Sequence, residues 1–168
     1  MKHIVTATLL VGALALTACD KNSRFGKDGA LGAAGADGAM GSVSDPTSPA
    51  YFNAVVGDRV LFEVDQAVLT AAGQGVLTQQ ASWLTENPEF TAIIEGHADE
   101  QGTREYNLGL GAKRASAVQA FLIDRGVAPS RLKTVSYGKE RPLAICSDEA
   151  CYSQNRRAVT ILSVGATS

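Results

Sequence analysis

Apolar residues follow two different rhythms over the last two thirds of the chain. Val60-Leu61-Phe62, Thr91 to Glu95, Leu132 to Tyr137 and Ala158 to Val164 are short runs, β-branched or aromatic and bounded by turn residues. Each predicts a strand. Thr70 to Glu86 and Thr103 to Arg125 predict helices. In the second, Leu108, Gly111, Ala115, Val118 and Leu122 recur at steps of three and four, one stripe facing a core, and Gly126 follows as a stop. Gly73 and Gly75 each weaken the first helix by up to ~1 kcal/mol relative to alanine, which blurs its start. The order β-α-β-α-β-β predicts an α+β sandwich, with helices packed on one face of a small mixed sheet.

Ahead of this domain the pattern is different. Between Asp20 and about Ala50 residues are small and polar, and glycine recurs every third position from Gly26 to Gly41. That spacing suits a collagen-type axis, but about five triplets without proline are too few to sustain one. A coil of about 31 residues has an end-to-end distance of ~30 Å and a full stretch of ~100 Å, so residues 19–50 read as a flexible tether. Residues 1–18 form a targeting signal: Lys2 and His3 precede the apolar run Ile4 to Leu16, which is too short to span a bilayer comfortably. The ending Leu16-Thr17-Ala18-Cys19 resembles the lipobox of bacterial lipoproteins and marks Cys19 for acylation, which would make membrane attachment stable.

With Cys19 assigned to lipid, Cys146 and Cys151 remain as an even pair in a secreted chain, and a disulfide is the first expectation. Free thiols and metal ligands are the other readings, although no second Cys or His pair stands nearby. The 168 residues carry a formal charge of −2, and loss of Lys2 with the signal leaves 14 basic against 17 acidic residues. No nucleic-acid partner is expected, and nothing points to a cofactor or a metal.

Chemistry concentrates in Gly96-His97-Ala98-Asp99-Glu100-Gln101-Gly102-Thr103, a polar loop between strand and helix. Thr103 can cap the helix, and Thr103, Asn107, Leu110 and Arg114 share one helical face about 100° from the apolar stripe. A carboxylate at Asp99 and a guanidinium at Arg114, meeting beside Leu110, could receive a zwitterion. The same spacing fits a structural Asp99–Arg114 salt bridge. Asp99, Glu100 and Glu95 lack the convergence a glycan hydrolase needs, so no enzyme is expected. His97 and Asp99 alone do not make a metal site, and His97 is expected to close a turn by hydrogen bonding.

The segments GHADEQGTREYNLGLGAKRASAV, VSYGKERP and YSQNRRAV resemble the OmpA-like peptidoglycan-binding domain family, and specifically its lipoprotein branch that works with the Tol proteins. The resemblance runs from about Arg59 to Leu162, so residues 51–168 are assigned to this domain. It implies that Asp99 and Arg114 hold the ammonium and carboxylate of meso-diaminopimelate, that Thr103, Asn107 and Leu110 line the same pocket, and that Asp65 borders it. It implies peptidoglycan as ligand, TolA and TolB as partners, and a lipid-anchored, periplasm-facing place at the outer membrane, serving envelope integrity and cell division. Arg156 would support the sheet edge or a neighbouring carboxylate. A module of the same fold whose main partner is a Tol protein is the alternative.

Three departures stand out. Val64 replaces an aromatic usual before the loop aspartate, which thins the pocket wall. Cys146 and Cys151 are not usual in the family, and the glycine repeat lies outside its pattern. Asp20, directly after Cys19, resembles the retention signal of inner-membrane lipoproteins in enteric bacteria, but the family resemblance favours the outer membrane.

Overall fold

Each of the four strands expected from the sequence is found, and the last of them is inserted between the first and second. The computed structural model describes residues 40–164. The signal peptide, Cys19 and most of the glycine-rich tether lie outside them. The elements are α1 (Pro49–Tyr51), a π-helical turn (Phe52–Gly57), β1 (Arg59–Leu61), α2 (Ala71–Glu86), β2 (Phe90–His97), α3 (Arg104–Asp124), β3 (Leu132–Gly138), α4 (Glu149–Asn155) and β4 (Arg157–Val164). The sheet order is β1-β4-β2-β3. β2 and β3 run parallel, joined through α3, and β4 is antiparallel to both β1 and β2.

β2 alternates because it has one packed face and one open face: Phe90, Ala92 and Ile94 are buried while Ile93 is exposed. α2 and α3 cover the packed face. Leu77, Ala81 and Leu84 of α2 meet Ala115, Val118 and Leu122 of α3 over Ala92 and Ile94, and Phe52, Trp83 and Phe90 close one end as tilted aromatic contacts. Each of the larger aliphatic and phenyl side chains contributes ~1.5–3 kcal/mol by leaving water. A buried polar bridge crosses this core. Thr160 Oγ1 donates to Gln80 Oε1 at 2.8 Å, and Gln80 Nε2 donates to the Gly57 carbonyl at 2.6 Å, so the amide is satisfied at both ends.

Helix ends follow local chemistry. Thr70 Oγ1 accepts from Gly73 N and Thr103 Oγ1 from Tyr106 N, each capping a helix start. At the end of α3, Gly126 takes φ +99° and the Val127 and Gly126 amides reach back to Leu122 and Ile123 carbonyls, which stops the helix as expected. The buried face of α3 begins at Asn107 rather than Leu108, which is half-buried. Sequence periodicity also passed over α4, whose seven residues show no apolar stripe.

Folded residues begin ahead of position 51. Ser48 is buried, and Trp83 Nε1 donates to the Pro46 carbonyl at 2.7 Å, fastening the segment before α1 against α2. No helix among the described residues is long and apolar enough to cross a membrane.

Candidate functional site

Three segments converge at one end of the sheet: the loop after β1, the loop after β2 and the first turns of α3. Between them lies a cleft of about 220 Å³, bordered by Asp65, Asp99, Asn107 and Leu110 together with Val64, Tyr106, Gln101 and Gly102. Four of the six residues expected for ligand recognition therefore share one cavity.

The remaining two have other places. Thr103 heads α3 as its cap and is not among the residues bordering the cleft. Arg114 is completely buried. Its Nε donates to the Gln66 carbonyl at 2.8 Å, and its two terminal nitrogens donate to the His97 carbonyl at 2.8 Å and the Glu63 carbonyl at 3.1 Å. One guanidinium thus fastens the loop carrying Asp65 to the end of β2, and Phe62 lies against it with its ring 5.2 Å away. Burial pulls the Arg114 pKa down to about 10, with the Asp99 and Asp65 charges opposing the fall. Arg114 therefore stays cationic at neutral pH.

No Asp99–Arg114 salt bridge forms. Asp99 pairs with Arg156 instead, Oδ2 to guanidinium at 3.3 Å, and its Oδ1 accepts from the Gln101 amide at 3.2 Å. Arg156 also donates to the Phe62 carbonyl at 3.1 Å and to both oxygens of Glu149. It supports a neighbouring carboxylate, one of the two roles that the family resemblance implied. Arg114, by contrast, forms no ion pair among the described residues.

The loop backbone is set by its own residues. Asp65 adopts φ +55°, a left-handed conformation that aspartate tolerates better than most side chains. Tyr106 donates its hydroxyl to Asp65 Oδ1, an interaction that raises the phenol pKa. Val64 does leave the wall without an aromatic from the β1 loop, but Tyr106 brings one from α3. Sequence spacing did not single out Tyr106, because it falls outside both helical stripes. Asn107 is buried; it donates from Nδ2 to the Gln101 carbonyl at 2.8 Å and so holds the loop after β2 against α3.

Other expectations resolve at this point. Glu95 lies 3.4 Å from His97 Nε2, while Asp99 faces Arg156, so the carboxylates of this region do not converge on one reacting centre. The His97 ring closes no turn by hydrogen bonding. Both of its nitrogens are buried without a hydrogen-bond partner, and the ring packs against Tyr137 instead. Burial foremost, then the charges of Arg157 and Arg141, depresses its pKa to about 4, so it is neutral. Cys146 and Cys151 form a disulfide with Cα atoms 5.7 Å apart, which removes their thiols as metal ligands.

What the cleft can do is receive a small polar group with a positive end. Two carboxylates and a side-chain amide border it, Leu110 offers an apolar contact, and a buried cation lies one helical turn beyond Leu110.

The OmpA family pattern matches residues 61–156, more than half of the chain. A peptidoglycan-associated lipoprotein of Mesorhizobium japonicum is 55% identical over 118 residues, covering 70% of each chain. One from Rhizobium meliloti is 48% identical over 153 residues, covering 91% of this chain and 84% of its own. Among solved structures, the peptidoglycan-associated lipoprotein from Burkholderia pseudomallei superposes with a TM-score of 0.64 at 40% identity, over 72% of this chain and 98% of that one. The C-terminal domain of Helicobacter pylori MotB shares the fold at a TM-score of 0.60 and 23% identity, over 65% of this chain and 86% of that one.

Proposed function

The chain belongs to the OmpA family, among its peptidoglycan-associated lipoproteins rather than any enzyme, and on that premise we propose that it tethers the outer membrane to the cell wall by gripping the meso-diaminopimelate of peptidoglycan stem peptides. Cys19 carries the acyl chains, the segment between it and the fastened residues around Pro46 supplies reach, and the folded domain after it holds the wall. The Tol proteins are the partners that the family resemblance implies, with envelope integrity and cell division as the setting.

A single observation carries the ligand assignment: Asp65 and Asp99 face one cleft, and the nearby cation Arg114 is paired with neither. The side-chain ammonium of diaminopimelate meets Asp99, with Asp65 at the rim. Its carboxylate turns toward Arg114, whose three bonds to carbonyls leave two of the five guanidinium N–H groups without an acceptor among the described residues. Inside a poorly screened site a whole charge attracts over a longer range than it does in water.

Sedimentation with purified sacculi tests this. The unmutated protein should pellet with diaminopimelate-type wall, and Asp99→Asn should lose most binding while keeping its melting temperature within a few degrees. Equal binding to a lysine-type wall, which lacks the second carboxylate, would refute the role given to Arg114. Binding that appears only when a Tol protein is added would favour the interaction-module reading.

A further inference from the structure

Beyond the cleft, Asp99 is the inner member of a row of three charges. Arg156, itself buried, stands between Asp99 and Glu149, and Glu149 lies on α4 with most of its side chain in solvent. The pairing holds the Glu149 carboxyl below its ordinary range and raises the Arg156 guanidinium above its own, each chiefly through their shared hydrogen bonds. Arg156 is also fixed from a third side by the Phe62 carbonyl. It therefore cannot swing away from Asp99 without leaving buried groups unpaired.

The position of Glu149 is in turn fixed by its loop. Asn155, buried at the far end of α4, accepts from the Leu143 and Ala144 amides at 2.7 and 3.0 Å and donates to the Ala144 carbonyl at 2.8 Å. Asp148 caps α4 by accepting from the Cys151 amide, and the Cys146–Cys151 disulfide closes the loop around that cap. Glu149 follows the cap directly. The two cysteines thus bracket the cap from which Glu149 projects.

We propose that Glu149 is a remote determinant of ligand affinity: it neutralises Arg156, so that Asp99 keeps a net negative charge for the cationic group of the ligand, and the disulfide-closed loop holds it in place. Taken alone, Asp99 and Arg156 sum to zero. With Glu149 the row carries one negative charge, and Asp99 is the member of the row that borders the cleft. Glu149 touches no ligand in this scheme and acts as a positioning and charge-balancing residue. The inference rests on the ligand reading above.

The experiment uses the full chain and a soluble diaminopimelate-containing muropeptide, with affinity measured by calorimetry at low and high salt. Glu149→Gln keeps the shape and removes the charge. It should weaken binding about three- to fivefold at low salt, the range of a partly screened ion pair, and by less at high salt. The disulfide-free variant Cys146→Ser, Cys151→Ser should also bind more weakly, and adding Glu149→Gln to it should cost little more, because both act through one carboxylate. If the unmutated protein fails to bind the muropeptide, the ligand reading itself falls. If it binds and Glu149→Gln binds equally well, or loses the same factor at both salt concentrations, the charge-balancing role is overturned. Fully additive losses in the combined variant would overturn the role given to the loop.

Discussion

Gly96 of β2 and Gly111 of α3 meet backbone to backbone: a Cβ on Gly96 would overlap the Gly111 carbonyl oxygen, and one on Gly111 would come within 2.8 Å of the Gly96 carbonyl oxygen. Neither residue needs an unusual φ here; what the pair requires is the absence of side chains. Gly96→Ala should cost at least ~3 kcal/mol, the upper end of overpacking, because backbone cannot yield as a side chain can. Gly75→Ala is the control, since nothing lies within 4 Å of its Cβ position and it sits within exposed helix. It should stabilise by ~0.5–1 kcal/mol. Thermal melting of both variants checks the contrast.

Arg114→Ala should unfold the site as well as empty it. Three backbone carbonyls would lose their donor inside the protein, at about 3–5 kcal/mol in total. A drop of ten degrees or more in melting temperature, beside a drop of a few degrees at most for Asp99→Asn, would show that the two residues serve the cleft in different ways. Equal melting temperatures would count against the fastening role of Arg114.

His97 predicts a pH dependence of stability. Its pKa is about 4 in the folded protein against 6.5 when unperturbed, so the unfolded chain binds the extra proton between those values. Stability is therefore complete above pH 6.5 and falls as pH drops toward 4, with a loss of about 2 kcal/mol between pH 7 and pH 5. Urea denaturation of the protein and of His97→Gln at both pH values isolates this share. The variant should lose less on acidification than the parent; an identical loss would mean that other groups carry the effect.

Cys19→Ser should release the protein into the soluble periplasmic fraction or leave it as unprocessed precursor. Fractionation followed by immunoblotting reads the result. A variant that is processed and stays membrane-bound like the parent would remove the lipid anchor from the proposal.

Periodicity revealed the strands and both long helices because each has one wet face and one dry face, a property written in every second or every third to fourth residue. Thr103 as a helix cap and Gly126 as a stop were legible for a similar local reason. The cleft was legible in part. Its helical contributors share a stripe, but the partner of Asp99 did not follow from spacing, since Arg156 lies 57 positions away and arrives only when β4 inserts beside β2. Tyr106 was passed over because its partner Asp65 comes from a loop whose left-handed turn has no periodic signature. The unsatisfied ring of His97 was hidden for the opposite reason: sequence suggests what a polar residue can bond, and only packing shows that neither ring nitrogen forms a hydrogen bond, even with Glu95 3.4 Å from Nε2.

β1 is an edge strand that pairs with β4 at three positions, and the chain enters it from the segment fastened by the Trp83–Pro46 hydrogen bond. A mechanical load applied ahead of residue 40 would reach that fastening first, then the short helical turns before β1, and only afterwards the strand whose continuation carries Asp65. Contacts so arranged peel in series, each yielding before the next is strained. A pull from the N-terminal side therefore has to undo the Trp83–Pro46 fastening and draw Phe52 out of the core before it strains the strand that leads to the cleft.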